Sequence, residues 1–494
     1  MLKGVLETPE LAAFEPTRKR RIGAVITVLG VVALCVVVGA ALPAAVVAVV
    51  LVLAGIALCL GSPWHGTLLV IALTLLFPTP FALYVGGSTI TIGRFFLFVL
   101  AAGWLVALRR PGTNIRFRRT KLDVPMVAVL GVLAASTALN APLLDHYELV
   151  GMFRRTLVFG VDFFLLFWIV ASVLDTRERA EKLLRFVALL VGVTAVFGVI
   201  EHFTGRNIFQ YLAPVLPAHV NATINALSQA SALYRGEARA HSTFAQPLSF
   251  GVVLGMGLPL AIAFALRERG SSRLGWVLVS GLDVLAMLFT FARSTLVLAA
   301  STLVTFMLFA PTRRMRITLA LAVAVGGLLL LATQPGVRHI VFAMWVLKPG
   351  SQASNTVNHR LQEVGPVLHA VSKRPLLGYG PRTFGYGELT KVMTPHATLD
   401  DSYLGTLGSM GILGLGAIVL LLVRAYGTGW KAFAAAREQR DRVLVLGLIA
   451  VVEAWALMGG VADVYTFYAP PELFFVLLAA LAAIRRGWPD EATS

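Results

Sequence analysis

PLSFGVVLGMGLPLAIAFAL, residues 247–266, is a run of twenty residues without a charged side chain. A hydrocarbon core about 30 Å thick takes about 20 apolar residues of helix, so this run reads as a membrane span. Similar runs recur along the chain, at 22–41, 43–61, 65–84, 91–108, 123–141, 155–174, 183–202, 274–291, 294–311, 317–334, 402–423, 443–460 and 470–485. That makes fourteen segments, or twelve to fourteen spans, because the first two are nearly fused at Ala41–Pro43 and the pair at 274–311 has almost no loop. The chain has 494 residues, 57% hydrophobic and 14% charged, with mean hydropathy +0.81. Soluble domains carry about 25% charged residues. The expected fold is therefore all-α: a polytopic transmembrane helical bundle of about 14 spans with a partly helical extracytoplasmic loop. The first apolar run is too long for a cleavable signal peptide and continues into a second span.

Basic residues set the orientation. With Arg18, Lys19, Arg20 and Arg21 placed in the cytoplasm, cytoplasmic segments collect 28 of the 42 Lys and Arg. They lie in the N-terminal tail, in 109–121, 177–185, 267–273, 313–316 and 424–442, and at Arg485 and Arg486. Every short inside loop is then basic, as the positive-inside rule requires. The expected organisation is a cytoplasmic tail 1–21, a transmembrane domain 22–485 with outside loops 203–246 and 335–401, and a cytoplasmic tail 486–494. The formal net charge of +17 has the same origin and requires no nucleic-acid partner.

Soluble enzyme chemistry has no support in the motifs. Cys35 and Cys59 lie in the first two spans and form neither a metal-ligand spacing nor a disulfide framework. There is no Walker A loop, zinc motif or Gly-x-Ser-x-Gly elbow. No metal and no cofactor is expected. Acidic residues in or beside spans, namely Asp162, Asp283, Glu453 and Asp463, are candidate ion sites. They keep a transporter or flippase of lipid-linked glycan as an alternative reading, although repeated halves are not visible.

The two long outside loops carry the remaining chemistry. Arg239 precedes AHSTFAQPLSFGVVLGMGLPL at 240–260, and Arg293 sits in LFTFARSTLVLAA at 288–300, between two spans. An Arg at a bundle mouth keeps its charge, and its planar fork matches phosphate oxygens. For Arg154 and Arg155 a snorkelling or helix-end role weighs equally with function. The second loop reads NHRLQEVGPVLHAVSKRPLLGYGPRTFGYG at 358–387. Its first half has amphipathic helical spacing, with Leu361, Val364, Val367, Leu368 and Val371 on one face, so a helix lying on the membrane or capping the bundle is expected. Gly378, Gly380, Gly385 and Gly387 then permit tight turns and close backbone approach to a ligand. His396, Asp400 and Asp401 stand just before the next span, where a carboxylate or imidazole takes a proton from a hydroxyl. Asp401 is the better candidate for the N-cap of that helix.

The order of these motifs resembles the O-antigen ligase and polymerase family of bacterial polysaccharide assembly. It comprises an Arg before S-T-F-x-x-P, an Arg-Ser at a hairpin, N-H-R-L, R-P-L-L-G-Y-G-P-x-x-F, and D-D-S-Y-L with G-x-x-G-I-L-G-L. The resemblance covers about 235–420. It implies a GT-C-type, metal-independent glycosyltransferase in the bacterial inner membrane, with both termini cytoplasmic. Its donor would be an undecaprenyl-diphosphate-linked glycan and its acceptor a lipid-linked or lipid glycan, with a flippase and a chain-length regulator as partners. By position, Arg239, Arg293 and Arg360, with Arg382 in addition, are implied to hold the diphosphate. The ligase pattern has His-Asn where this chain has Asp400 and Asp401. The base is therefore Asp400 or a shifted His396, and polymerase is favoured over ligase.

Overall fold

The structure is a computed structural model. It describes residues 44–78, 82–85, 88–113, 115–143, 146–207, 209, 233–234, 237–333, 352–381 and 401–487. Two compact units divide at Leu58 and Cys59. Of the first, only the helix α1 (Ala44–Gly61) is described, as far as Leu58.

The second unit is helical, as the apolar runs require. Its elements are α2 (Pro63–Leu76), α3 (Ile92–Arg109), α4 (Asp123–Asn140), α5 (His146–Leu157), α6 (Leu166–Val173), α7 (Arg177–Thr204), α8 (Pro247–Arg267), α9 (Gly270–Phe289), α10 (Arg293–Phe309), α11 (Arg313–Thr333), α12 (Gln352–Lys373), α13 (Ser402–Ala435), α14 (Gln439–Gly459) and α15 (Ala469–Arg486). Two small antiparallel hairpins, Ala82–Val85 with Ser88–Thr91 and Leu233–Tyr234 with Glu237–Ala238, are the strands among the described residues. Eight described helices have the length and hydropathy to cross a bilayer; α1, α2 and α10 are shorter apolar helices. The expected segment 22–41 lies outside the described residues. The segment 65–84 is corrected: α2 stops at Leu76, before Pro78, and the first hairpin follows. A proline has no N–H to continue a helix and forces the residue before it out of helical geometry.

α8 is the centre of the bundle, with 94% of its apolar window buried. α7, α9, α10, α14 and α15 pack around it. Its small residues explain the close packing. Gly251 lies against Thr295, Gly255 against Leu298 and Gly257 against Val191, each where a Cβ would overlap the neighbour. Lipid offers apolar side chains as good a home as protein does, so helices in a bilayer associate through such close contacts. A second core is aromatic: Trp455 stacks on Phe474 at 4.5 Å and Phe163 on Phe475 at 5.5 Å. On the basic side, Glu181 accepts from Arg185 at 2.9 Å and from Arg267 at 2.8 Å, and Arg177 pairs with Asp441.

One helix is broken near the end opposite these basic residues. α13 contains Gly411 at φ 65°, ψ −167°. On a straight helix Tyr403 and Tyr426 would stand about 34 Å apart. Yet their hydroxyls bond to the Ala456 carbonyl and to Glu453, which are within one turn of α14. The helix therefore bends sharply at Gly411. The break is sealed by the segment after α12. Ile412 N donates to Pro375 O (2.8 Å) and Leu413 N to Leu376 O (3.3 Å), while Tyr379 N and Gly380 N donate to Gly408 O (3.0 Å) and Ser409 O (2.8 Å). From α4, Ser136 Oγ donates to Leu377 O at 2.6 Å and Asn140 Nδ2 to Gly378 O at 3.2 Å. Unpaired backbone groups at membrane depth cost several kcal/mol each, which is why the break needs this second strand.

One sequence expectation changes here. Gly378 and Gly380 do allow close backbone approach, but the partner is the broken helix: a Cβ on Gly378 would lie 2.5 Å from Gly408 O. In α12 the buried edge is Glu363, Val367 and Ala370, whereas Leu361 and Leu368 are 66% and 50% exposed. The expected helix is thus present, and exposed leucines on its apolar face are what a helix lying on a membrane carries.

At Gly411 a methyl group would overlap the Leu376 carbonyl, and the left-handed φ adds strain. Gly411→Ala is expected to destabilise the chain by about 2–4 kcal/mol, read as a lowered Tm in detergent; an unchanged Tm would remove the strain argument.

Candidate functional site

The hairpin between α9 and α10 brings two of the expected arginines together. Arg293 opens α10 and is half-buried. Arg239 arrives from the opposite segment, its Nε donating to Thr290 O at 3.0 Å, and Ala240 N donates to Phe289 O at 2.9 Å. The turn is rigid. Phe291 has φ 50°, Thr290 Oγ1 donates to Met287 O at 2.7 Å, and Thr295 Oγ1 donates to Ala292 O at 2.7 Å. Left-handed φ is rare for an aromatic residue and persists only where its surroundings hold it.

Glu201, at the end of α7, holds the strand that carries Arg239. Its carboxylate accepts from His241 N (3.0 Å) and Ser242 N (2.7 Å), and from Asn207 Nδ2 at 2.9 Å. It also pairs with His241 Nε2 at 3.0 Å, and all three loop residues are buried. Ser242 has φ 54°, a conformation these bonds hold in place. His202 stacks on Phe289 at 3.9 Å and its Nδ1 meets Ala238 O at 2.8 Å. The sequence reading passed over Glu201 and His202. The available signal was an acid and an imidazole ending an otherwise apolar run.

A second constellation forms where α13 begins. Asp401 caps the helix as expected, its Oδ1 accepting from Tyr403 N (2.8 Å) and Leu404 N (2.9 Å). Ser402 Oγ donates to Ala462 O and accepts from Val464 N, both at 2.8 Å. Asp463 Oδ1 lies 3.5 Å from Ser402 Oγ and 3.9 Å from Arg155 Nη2. The Arg155 guanidinium also covers the Phe159 ring at 5.4 Å. Burial pushes the neighbouring Tyr465 phenol well above its ordinary range. Arg155, which the sequence left evenly balanced, thus stands at the mouth of α13.

Arg360 lies on α12, but its side chain is outside the described residues; Arg382, His396 and Asp400 lie outside them altogether. The four acids read as ion-site candidates have separate surroundings. Asp162, in the π-helical stretch Val158–Leu165, accepts from Arg94 Nε at 2.8 Å. Glu453 meets Thr305 and Tyr426. Asp463 faces Arg155, and Asp283 is fully buried with no hydrogen-bond partner among the described residues. Among the described residues, no group of three His, Cys, Asp or Glu is placed to hold a metal ion.

Residues 276–419 match the O-antigen ligase family, so the resemblance read from the sequence holds over that stretch, which includes Arg293 and Asp401. No curated protein matches the chain. A chain from a solved structure described as structural coordination of polymerization and crosslinking by a peptidoglycan synthase complex is similar at 17% identity. The match covers 75% of this chain and 98% of that one, with a TM-score of 0.38, too low to bear on the argument.

Glu201→Ala would leave two buried backbone N–H groups and His241 without their acceptor. It is expected to cost about 3–5 kcal/mol, seen as a fall in Tm, whereas His202→Phe, which keeps the stacking on Phe289, is expected to cost about 1 kcal/mol.

Proposed function

We propose that this multi-pass membrane protein transfers glycan from a polyprenyl-diphosphate-linked donor on the extracytoplasmic face of a bacterial inner membrane. It would polymerise the glycan onto a lipid-linked acceptor or ligate it to a lipid glycan. The observation that carries this reading is the convergence of Arg239 and Arg293 on one rigid hairpin at the outer ends of α9 and α10, the latter inside the stretch matching O-antigen ligases.

The chemistry follows from the charges. Breaking the bond between the sugar and the diphosphate develops negative charge on the leaving group. A guanidinium held beforehand, as that of Arg239 is by the Thr290 carbonyl, stabilises that charge without reorganising. Arg360 and Arg382 are proposed to complete the cradle from the second outside loop. The acceptor hydroxyl needs a base, and Asp400 or His396 is proposed for it. Asp401 has one oxygen committed to the helix cap, which fixes the start of α13. The donor bond supplies the driving energy, so neither a nucleotide nor a metal is required. A flippase that delivers the donor and a chain-length regulator are the proposed partners.

Asp283 favours one second reading. A fully buried carboxyl group on a membrane helix is a recurring feature of ion-coupled transport. On that reading the protein would move lipid-linked glycan without extending it.

With a defined lipid-linked repeat unit and the purified chain, Arg293→Ala is expected to lower transfer about 10²–10³-fold, with product followed by mass spectrometry. Transfer at the parent rate would refute the donor-binding role. Chelators are expected to leave the rate unchanged; loss of activity restored by a divalent ion would contradict the metal-independent mechanism.

A further inference from the structure

Two guanidinium groups meet on the basic side of the molecule, one at the end of α15 and one in the segment that leads into α4. Arg486 ends α15, and its Nη2 donates to Ala171 O at 2.8 Å and reaches Leu174 O at 3.4 Å. Arg118 follows Phe117, whose ring packs on Trp168 with centroids 6.2 Å apart. Both segments therefore stand against the end of α6. The two charges are close enough to repel each other, and the attraction of Asp123 for Arg486 is the smaller effect. Asp123 is itself engaged: its Oδ2 accepts from Thr120 N at 2.7 Å, and its Oδ1 from Thr120 Oγ1 at 2.8 Å and Trp168 Nε1 at 3.2 Å.

Other arginines on this side are met by acids: Arg177 by Asp441, Arg179 by Asp175, and Arg185 and Arg267 by Glu181. Among the described residues, Arg118 and Arg486 have no such partner, and Arg118 Nε and Arg486 Nη1 are shielded from water without an acceptor. Arg267 Nη1 shares that condition, but Glu181 already meets its charge. A shielded N–H without an acceptor costs free energy that a further acceptor returns. An anion suits the place, because two cations face one carboxylate, and the planar fork of arginine matches phosphate oxygens. Both side chains are half-buried, so the pair is reached from the surface. Beside it Phe117, Val124 and Val127 are exposed. Apolar side chains next to a phosphate-binding pair fit acyl chains, which points to a lipid rather than a free phosphate.

We propose that Arg118 and Arg486 bind the phosphate of an anionic phospholipid in the leaflet on the side of the basic loops, with its acyl chains along Val124 and Val127. The site is far from the arginine turn and does not depend on the glycan-transfer reading. α7 separates the two: Arg486 meets Leu174 just before that helix, and Ala238, next to Arg239, meets His202 near its far end. The site also differs from the general attraction of a basic surface for anionic lipid, because it needs two particular guanidiniums rather than positive charge alone. Bound there, the lipid joins the end of α15 to the start of α4.

The test is native mass spectrometry of the purified full-length chain in detergent, titrated with phosphatidylglycerol and phosphatidylethanolamine of matched chains. The parent is expected to bind the glycerol lipid about tenfold tighter, the worth of one charge-assisted hydrogen bond. Arg118→Gln and Arg486→Gln are each expected to bring the two lipids to near parity. Arg119→Gln, the same charge change at the exposed neighbour, is expected to leave the preference intact. Phosphatidylglycerol is expected to raise the Tm of the parent and of Arg119→Gln but not of Arg118→Gln. Should Arg486→Gln fail to fold because Ala171 loses its donor, Arg118→Gln, outside the helices, still decides the matter. Equal binding of the two lipids by the parent would overturn the proposal. So would a loss with Arg119→Gln as large as that with Arg118→Gln, or displacement of the lipid by inorganic phosphate.

Discussion

The break at Gly411 sets the terms for the half of this molecule opposite the basic loops. A helix interrupted within a bilayer exposes amide and carbonyl groups that lipid cannot satisfy. Here four backbone bonds from 375–380 close the gap, and Ser136 and Asn140 of α4 hold the closing strand. One requirement therefore fixes three things together: the end of α12, the position of the segment that follows it, and the direction of Ser402–Met410. Since Ser402 is in turn tied to Ala462 and Val464, the mouth of α13 is held against the turn before α15.

The arginine hairpin is built on different bonds by the same logic. Its rigidity comes from Glu201, which lies below the loop and binds consecutive backbone amides, and from hydroxyls that return to carbonyls one turn earlier. Burying a carboxylate is expensive unless several donors meet it, and Glu201 has four. The yield of that arrangement is position. Arg239 is led to the Thr290 carbonyl, next to Arg293, before any ligand is present. A preorganised cation costs nothing further when charge develops in a transition state.

Much of the fold was legible in the sequence because a lipid solvent leaves the chain few choices. Runs such as 247–266 and 443–460 can only be helices. Asp401 was readable as a cap from residue type and position alone. The misses also have physical causes. Pro78 ended a run that hydropathy alone carried to residue 84. In α12 apolar spacing marked the helix but not which of its apolar residues meet the protein: Val367 is buried, Leu361 and Leu368 are exposed. Gly378 and Gly380 signalled close approach but not to what, because their neighbours, Gly408 for the one and Met152 for the other, are distant in sequence. Glu201 and the Arg94–Asp162 pair depend on contacts between distant helices, which leave no local pattern. The resemblance to O-antigen ligases singled out Arg239 and Arg293, and the structure adds that Arg239 is bonded to the turn that Arg293 follows.

The central claim is that chemistry occurs at the outer mouth, beside the Arg239–Arg293 hairpin and opposite the basic loops. Its most direct test uses proteoliposomes in which the chain has a single, verified orientation. Lipid-linked glycan with a membrane-impermeant head group is supplied to one leaflet at a time. The account predicts that lengthened or transferred glycan appears only when donor is on the side of the hairpin. Product formed only from the side of Arg313 and Arg314, or glycan that crosses the membrane unextended, would contradict it.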